Sequence, residues 1–386
     1  IFGNVFRLNR LDHIPTFSYF SEESKEYSQI EQLILKDRIM KSNKNKSTMN
    51  RREFNKSLVT IAAGTPFLIP GDLVPKTLIK PENQDRRNEQ PAMSYRKLGR
   101  TNFRCSRLVF GCGAALTGGK AVRLLDHAFE AGINYYDCGS ETIYKGSEQS
   151  FAPFMKANRD HIWVTSKAPI DDSLQDDPVG TEQAKEAART WTALLDESLK
   201  SLQTEYVDAY FLMNIKSWSL ISSEEVYNAF LDAKSAGKVG YFGLATHKNA
   251  NKVLEAAIDN GWYDLAMIGI TPAGFYDWST REIEKDTASL KELQPLLKKA
   301  RDTGIGLIGM KSVRLLAPMT AGGKADETAF DKYYDKRFLE SSLNPFQRAY
   351  AYILENGLDV VNADMQNFTH LEENIEAAAS SNTYFD

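Results

Sequence analysis

The feature that most restricts the fold of this chain is a regular alternation of short apolar runs with segments of helical periodicity. Eight runs are typical of strands and eight segments of amphipathic helices. Strands that alternate with helices form a parallel sheet covered on both faces, and a count of eight favours an α/β protein with a closed (β/α)8 TIM barrel. The predicted strands are 106–113, 133–137, 161–167, 207–213, 239–246, 263–270, 304–311 and 357–364. The predicted helices are 120–131, 147–157, 181–201, 223–236, 248–259, 287–302, 344–356 and 369–379.

The residues around the first strand also favour a barrel over an open, doubly wound sheet. No GxGxxG motif follows the strand at 106–113, which weakens a dinucleotide-binding open sheet. The segment “MSYRKLGRTNFRCS”, residues 93–106, is predicted to form a hairpin that closes the bottom of the barrel.

Composition excludes several classes of protein. The chain has 386 residues, 42% hydrophobic and 25% charged, which suits one large globular domain or two smaller ones. A net charge of −4 with no basic block in the body of the chain gives no reason to expect a nucleic-acid partner. Three cysteines, Cys105, Cys112 and Cys138, form no CxxC pair and have no His at zinc spacing. We predict buried thiols and no metal site.

The N-terminal region is predicted to be separate from the barrel. Residues 1–48 are interpreted as a non-native or disordered extension, because the chain begins with Ile and a more plausible start is Met49. Residues 49–75 are interpreted as a signal segment. Residues 76–92 are polar and contain prolines, which is typical of a linker. The barrel is assigned to residues 93–386.

The signal segment resembles a twin-arginine export signal. Arg51 and Arg52 precede a modest apolar run from Ser57 to Pro70. This run is shorter than the roughly 20 apolar residues of a membrane-spanning helix, so we expect no stable membrane span in the mature form. The sequence therefore predicts passage through the twin-arginine machinery to the periplasm or another exported location. The alternative is an Arg-Arg pair that opens an ordinary amphipathic helix in a cytoplasmic protein.

Three ionisable side chains are predicted to meet at the mouth of the barrel, because residues at the carboxyl ends of its strands face that end. Asp137 ends the second strand, Lys167 ends the third, and Tyr144 lies in the loop between them. A lysine ammonium beside a phenol favours the phenolate, and a neighbouring carboxylate keeps the lysine charged and oriented. A tyrosine in this setting can donate a proton to a carbonyl oxygen. The alternative is an Asp–Lys ion pair that only stabilises the mouth, with Tyr144 as a rim aromatic.

The chain also resembles the aldo-keto reductases over residues 95–379. The resemblance lies in seven blocks in this order: “YRKLGRTNFRCSRLVFGCG”, “AFEAGINYYD”, “IWVTSK”, “EYVDAYFL”, “AGKVGYFGLATHKN”, “GIGLIGMKS” and “HLEENIEAA”. It implies a barrel that binds NADP, with NAD as the alternative, and that interconverts a small-molecule carbonyl and an alcohol by hydride transfer. It carries the catalytic Asp, Tyr and Lys of the family to Asp137, Tyr144 and Lys167. We expect the chain to lack the iron–sulfur extension that some members carry.

One catalytic position departs from the family pattern. The fourth strand usually runs on to a His, whereas this chain has Met213 followed by Asn214. A thioether cannot donate a hydrogen bond. Asn214, whose amide can donate, and His247, at the end of the fifth strand, are the two candidates to replace it.

The loop after the second strand also differs from the family pattern. It is longer before Tyr144, and Cys138 and Gly139 replace the usual small polar pair. These changes leave the Asp–Tyr–Lys set in place.

The candidate cofactor-binding residues lie in loops at the same end of the barrel. Phosphate groups commonly bind after the last two strands of such barrels, against a helix N-terminus. “LEEN” matches the adenine-end motif of the family, and a histidine stands where many members have an Arg for the 2′-phosphate. The full set is Gly111, Thr246, Lys311, Ser312, Gln366, Asn367, His370, Glu373 and Asn374. The alternative for Glu373 and Asn374 is a solvated helix face.

Three functions remain open at this point. We favour an NAD(P)H-dependent oxidoreductase. The second is a catalytically degenerate barrel that holds a nucleotide as a sensor or partner subunit, which Met213 favours. The third is a barrel enzyme that uses Tyr144 and Lys167 for other proton transfers without a nicotinamide.

Overall fold

The computed structural model describes residues 84–317, 325–363 and 365–379. The predicted N-terminal extension (1–48), the predicted signal segment (49–75) and residues 76–83 of the predicted linker lie outside the described residues.

The described part of the chain contains a closed parallel barrel. The strands of the described residues are β1 Asp85–Arg86, β2 Tyr95–Lys97, β3 Phe103–Ser106, β4 Leu108–Gly111, β5 Tyr135–Asp137, β6 Trp163–Pro169, β7 Val207–Met213, β8 Val239–Thr246, β9 Leu265–Thr271, β10 Gly274–Asp277, β11 Glu282–Ile283, β12 Gly306–Met310 and β13 Val360–Ala363. The barrel consists of β4 to β9 with β12 and β13, and the pairings of β8 with β9 and of β13 with β4 close it. The predicted TIM barrel is confirmed. All eight predicted strands are present, and β7 and β8 have the predicted bounds.

Helices cover the outside of this barrel. In the described residues they are α1 Cys112–Leu116, α2 Leu124–Glu130, α3 Ser147–Asn158, α4 Thr181–Ser201, α5 Glu224–Ser235, α6 Ala250–Asn260, α7 Gln294–Asp302, α8 Lys336–Leu339, α9 Pro345–Glu355 and α10 Phe368–Ala379. The short helices α1 and α8 were not predicted. Helix α7 begins later than the predicted 287, because Pro295 is suited to the first turn of a helix.

An apolar plug closes the amino end of the barrel. Strands β2 and β3 form the predicted antiparallel hairpin. This hairpin places Leu98 and Phe103 in a buried cluster with Val109 and Trp163 of the barrel interior, and the rings of Phe103 and Trp163 stack with centroids 4.7 Å apart. In the described residues the amino end of the barrel interior is therefore filled, and the opposite end, the mouth, is where we look for a ligand site.

Residues 84–92, predicted as the end of a linker, are instead part of the folded unit. Strand β1 pairs in parallel with β3. Arg87 lies 3.0 Å from the buried carboxylate of Asp208, which Arg159 also contacts at 2.9 Å. Burial by itself lowers the pKa of Arg87, but its bonds to Asp85 and Asp208 raise that pKa overall. This polar segment docks because its guanidinium helps to neutralise a carboxylate that would otherwise be costly to bury.

A second buried carboxylate, Glu148, lies in the first turn of α3 against the barrel. Its Oε1 accepts a hydrogen bond from Ser166 Oγ at 2.6 Å, and nearby the hydroxyls of Ser198 and Tyr210 pair at 3.1 Å. Removal from water disfavours the charged form and raises the pKa of Glu148 to about 7, although the two serine hydroxyls oppose the shift.

We predict that Glu148→Gln stabilises the protein at alkaline pH only. The folded pKa of about 7 exceeds the ordinary 4.5, so the free energy of unfolding falls as pH rises between these values. An uncharged amide lacks this dependence. Urea unfolding should give the variant an advantage of about 1–3 kcal/mol near pH 8 and little near pH 5. Glu130→Gln, at an exposed position of α2, is the control. The same pH dependence in Glu148→Gln and the wild type would contradict this assignment.

Candidate active site at the mouth of the barrel

Asp137 is a buried carboxylate at the carboxyl end of β5, and donors from two other strands surround it. Its Oδ1 accepts a hydrogen bond from Thr165 Oγ1 at 2.7 Å. Its Oδ2 accepts from Lys167 Nζ at 2.6 Å and from Asn362 Nδ2 at 2.5 Å. The residue is only 3% exposed. Both oxygens are engaged by the protein, so Asp137 is placed to orient Lys167 rather than to bind a ligand.

Lys167 connects this carboxylate to the loop that carries Tyr144. Its ammonium also donates to the main-chain oxygen of Cys138 at 2.5 Å. Cys138 is fixed in turn, because its N–H donates to Thr165 O at 2.8 Å. The structure thus brings Asp137, Lys167 and the loop of Tyr144 together.

The ring of Tyr144 packs against two glycines, one in helix α1 after β4 and one in the loop after β5. A Cβ atom added at Gly139 would lie 2.5 Å from Tyr144 Cδ2, and one added at Gly113 would lie 3.0 Å from Cε2. Both distances are shorter than the contact distance of carbon atoms. Hydrogen bonds from Tyr144 N to Ser140 O and from Ser147 N to Tyr144 O, both at 2.9 Å, fold the loop. The departure from the family pattern at residue 139 therefore makes room for the tyrosine ring.

Asn362 is a residue of this site that the sequence analysis missed. It lies two residues after the inward-facing Val360 on β13, so a polar residue at this spacing in an apolar run was an available signal. Its amide reaches Asp137 across β4, where residue 111 is glycine. A Cβ atom at Gly111 would lie 2.6 Å from Asn362 Oδ1 and 2.8 Å from Ala363 O. Gly111, predicted to bind the cofactor, leaves the space through which Asn362 reaches the carboxylate.

Met213 and Asn214 stand at the end of β7, where the family pattern has a His. Met213 follows the interior residue Phe211 by two positions, so the alternation of the strand directs its side chain to the mouth. Asn214 has a left-handed φ of 61°, and its main-chain oxygen accepts from Gln175 Nε2 at 3.0 Å. Within the described ranges the side-chain amide of Asn214 makes no hydrogen bond, so it is free to donate to a ligand.

His247 follows β8 and lies beside a cationic cluster. Burial, and then the charge of Lys311, lower the pKa of His247 to about 4, so the imidazole is neutral at physiological pH. Trp278 lies in the turn between β10 and β11, and its main-chain N–H donates to His247 O at 3.2 Å. Lys311 Nζ and Arg314 Cζ lie 4.2 Å and 5.2 Å from the Trp278 ring centroid. Trp278 and Arg314 were not predicted as site residues, although a basic residue shortly after β12, the seventh strand of the barrel, was a usable signal.

Two predicted cofactor residues near this cluster are buried. The hydroxyl of Thr246 donates to Lys248 O at 3.0 Å and so serves the local loop. Ser312 is 1% exposed, and its Oγ has no hydrogen-bond partner among the described residues. A buried polar atom without a partner is unfavourable. A phosphate oxygen placed beside Lys311 would supply that partner, so these residues fit the pyrophosphate of a dinucleotide.

The remaining predicted cofactor residues lie just before α10 and in its first two turns. The side-chain oxygen of Asn367 accepts from His370 N at 2.9 Å and caps the helix. Gln366 and His370 are exposed, and Glu373 is half-buried. Asn374 is buried, so the alternative of a solvated helix face does not apply to it.

In the ranges that the structure describes, no group of His, Cys, Asp and Glu side chains could hold a metal ion. No helix of that part of the chain has the length and apolar content needed to cross a bilayer. Cys105, Cys112 and Cys138 are free and buried, as predicted.

Sequence comparison identifies a matching family and several relatives of this chain. The model of the Aldo/keto reductase family matches residues 108–383. The uncharacterized oxidoreductase YqkF of Bacillus subtilis is 30% identical over 160 residues, which are 40% of this chain and 49% of that protein. An aryl-alcohol dehydrogenase (NADP+) of Phanerodontia chrysosporium is 27% identical over 130 residues, 32% of this chain and 33% of that protein. The matches thus span about half or less of these two curated relatives.

Comparison with solved structures supports the same fold. An aldo-keto reductase from Bacillus halodurans, in its holo form, superposes with a TM-score of 0.52. The match covers 74% of this chain and 90% of the other at 22% sequence identity. At this identity the likeness shows the fold alone.

We predict that Asn362→Leu destabilises the protein. The substitution keeps a similar volume but removes one donor from a buried carboxylate, and such a bond contributes about 1.5–3 kcal/mol. Urea unfolding near pH 7 measures the loss. Asn251→Leu, at an exposed position of α6, should change the free energy of unfolding by less than about 0.5 kcal/mol. Wild-type stability in Asn362→Leu would mean that Lys167 and Thr165 suffice for Asp137.

Proposed function

The chain belongs to the Aldo/keto reductase family, and we propose that it is an NADP(H)-dependent oxidoreductase that interconverts a carbonyl compound and an alcohol. Tyr144 donates the proton, Lys167 tunes the phenol, and Asp137 orients Lys167. One observation carries the proposal: Lys167 Nζ bonds both to Asp137 and to the Cys138 carbonyl, next to the glycine against which the Tyr144 ring packs.

In this proposal the protein moves one proton at the substrate oxygen. As the carbonyl oxygen gains negative charge, the phenol O–H bond of Tyr144 breaks and its proton moves to that oxygen. The ammonium of Lys167 favours the phenolate that remains. Asp137 keeps Lys167 in place, because Thr165 and Asn362 fix the carboxylate from two sides. For alcohol oxidation the step runs in reverse, and the phenolate of Tyr144 accepts the proton of the alcohol.

We assign the dinucleotide to the loop after β12 and to the start of α10. A bound nicotinamide dinucleotide supplies the hydride. Lys311 and Arg314 offer positive charge to its pyrophosphate, and the buried hydroxyl of Ser312 offers a donor. NADP is proposed because a relative of this chain is named as an NADP+ enzyme. NAD is the alternative, because His370 stands where many members have an Arg.

Met213 favours a second candidate function, a nucleotide-holding barrel without turnover that acts as a sensor or partner subunit. A methionine cannot polarise a carbonyl by donating a hydrogen bond. The free amide of Asn214 and the neutral imidazole of His247 are the groups that we propose in its place. Extraction of a bound dinucleotide from the purified protein, followed by a test of its oxidation or reduction, separates the two functions.

Loss of the Tyr144 hydroxyl should abolish most of the activity. We expect Tyr144→Phe to lower kcat/KM for any carbonyl that the wild type reduces by about 10²–10⁴, the usual contribution of general acid catalysis. Dinucleotide affinity should remain, because only a phenol oxygen is removed. Tyr227→Phe, at a tyrosine that stacks on Trp262, is the matched control. Full turnover in Tyr144→Phe would exclude Tyr144 as the proton donor.

Restoring the family residue should distinguish an enzyme from a degenerate barrel. We expect Met213→His to hold or modestly raise kcat with small aldehydes, because the Asp–Tyr–Lys set is in place and a donor would be added. The measurement is a panel of aldehydes and ketones with the reduced dinucleotide. If both the wild type and Met213→His are inert with a demonstrably bound, reduced cofactor, the nucleotide-holding function is the better one.

We further propose that residues 49–75 direct export through the twin-arginine machinery. The paired Arg51 and Arg52 ahead of an apolar run support this proposal. Replacement of both by Lys, followed by cell fractionation, should retain the protein in the cytoplasm, and Arg86→Lys is the control. Unchanged delivery outside the cytoplasm would exclude this signal.

A further inference from the structure

A cavity lies at the amino ends of the barrel strands, opposite the candidate active site. It has a volume of about 390 Å³ and lies between the β2–β3 hairpin, the end of α7 and the residue before β13. The cavity is a depression that is open to solvent, and its volume falls in the range of small-molecule sites, roughly 300–1,000 Å³. The charged residues of this basal cavity are Arg96, Lys97, Arg100, Arg301 and Asp359.

Two of the four cations form ion pairs that stabilise the fold. Arg96 Nε lies 3.1 Å from Asp359 Oδ1, and Arg100 Nε lies 3.1 Å from Asp264 Oδ1. Arg100 also donates to Tyr263 O at 2.5 Å. These contacts hold the hairpin against the barrel and fix two guanidinium groups at the wall of the basal cavity.

The other two cations, Lys97 and Arg301, have no comparable partner. Among the residues that the structure describes, neither side chain makes a hydrogen bond or an ion pair, although the charge of Arg301, with those of Arg96 and Arg107, favours the charged form of Asp359. A basic residue in the last turn of a helix is ordinary, because it offsets the helix dipole. Lys299, in the same turn, does this while it pairs with Asp259 at 3.4 Å. Arg301 differs because it lines a cavity together with cations of another element.

Arg107 is a buried neighbour of the basal cavity, and the positive charges of the cavity act on it. Burial, and then the charges of Arg96 and Arg301, lower the pKa of Arg107 to about 10, although Glu355 and Asp359 oppose the shift. The separation of 3.8 Å from Arg107 Nη1 to Glu355 Oε1 is long for an ion pair. Arg107 also donates to the main-chain oxygens of Leu354 and Leu358. The charges of Arg96 and Arg301 still act against its own charge, and an anion in the cavity would relieve that repulsion.

We propose that the basal cavity binds the phosphate group of a phosphorylated small molecule, with Lys97 and Arg301 as its direct contacts. Arg96 and Arg100 supply fixed positive charge at the wall. Guanidinium groups bind phosphate through paired N–H donors, and lysine adds a point charge. Two unpaired cations match a phosphate dianion better than a single carboxylate. This site is independent of the function proposed for the mouth.

The test is the stabilisation of the full-length chain by inorganic pyrophosphate. Thermal unfolding of the wild type, of Lys97→Gln/Arg301→Gln and of the control Lys299→Gln is measured with pyrophosphate and with sodium chloride at equal ionic strength. A ligand that binds only the folded state raises the Tm. We expect the wild type and Lys299→Gln to be stabilised. The double variant should bind pyrophosphate roughly tenfold more weakly or worse.

Two further measurements separate this site from the mouth and from a structural role. In a Lys311→Ala background, where anion binding at the mouth is weakened, the stabilisation should persist. Without added anion, Lys97→Gln should be at least as stable as the wild type, because Lys97 makes no hydrogen bond or ion pair among the described residues. A less stable Lys97→Gln variant would indicate a structural role for Lys97 instead. Equal stabilisation of the double variant and the wild type in the Lys311→Ala background would overturn the proposal.

Lipid vesicles distinguish a lipid headgroup from a free phosphorylated molecule. Binding to phosphatidylglycerol vesicles but not to phosphatidylcholine vesicles, lost in Lys97→Gln/Arg301→Gln, would identify a headgroup as the source. Pyrophosphate binding without vesicle binding would identify a free molecule. No response to either probe would overturn the proposal.

Discussion

Burial of the Asp137 carboxylate is the constraint on which the arrangement of the mouth depends. A carboxylate removed from water is costly unless it is paired and hydrogen-bonded. The chain meets this cost with Lys167 and Thr165 from one side and Asn362 from the other. Asn362 must reach over the first barrel strand, and this is possible because that strand ends in Gly111. One buried charge on β5 therefore decides residue types on three other strands.

The ion pair of Asp137 and Lys167 contributes both to the stability of the mouth and to the proposed chemistry. Lys167 bonds the Cys138 carbonyl as well as Asp137, so the ion pair also holds the loop that presents Tyr144. The two interpretations open from the sequence, a structural ion pair and a proton relay, are compatible in this geometry. A side chain that stabilises the folded mouth can also place a positive charge near the phenol. The small residues at 113 and 139 complete the arrangement, because they accept the aromatic ring.

The barrel separates two charged regions with different arrangements. Between them lies the apolar plug, in which Phe103 stacks on Trp163. At the mouth, Lys311 and Arg314 lie against Trp278, beside a neutral histidine. At the base, cations of the hairpin and of α7 line a cavity with a single carboxylate among its charged groups. These arrangements support the dinucleotide that we propose at the mouth and the phosphate group that we propose at the base.

The sequence by itself determined the barrel and the positions of Asp137 and Lys167. Strand and helix periodicities are local, so β7 and β8 have their predicted bounds, and a residue that ends a parallel strand must lie near the mouth. Only the tertiary structure revealed Asn362 as a partner of Asp137, 225 residues away in sequence. It also decided that residues 84–92 dock on the barrel and that Trp278 lies against the cations after β12. Periodicity shows which face of an element is buried, but it does not show which distant side chains meet there. Which side chains come into contact depends on how the closed sheet brings remote strands and loops together.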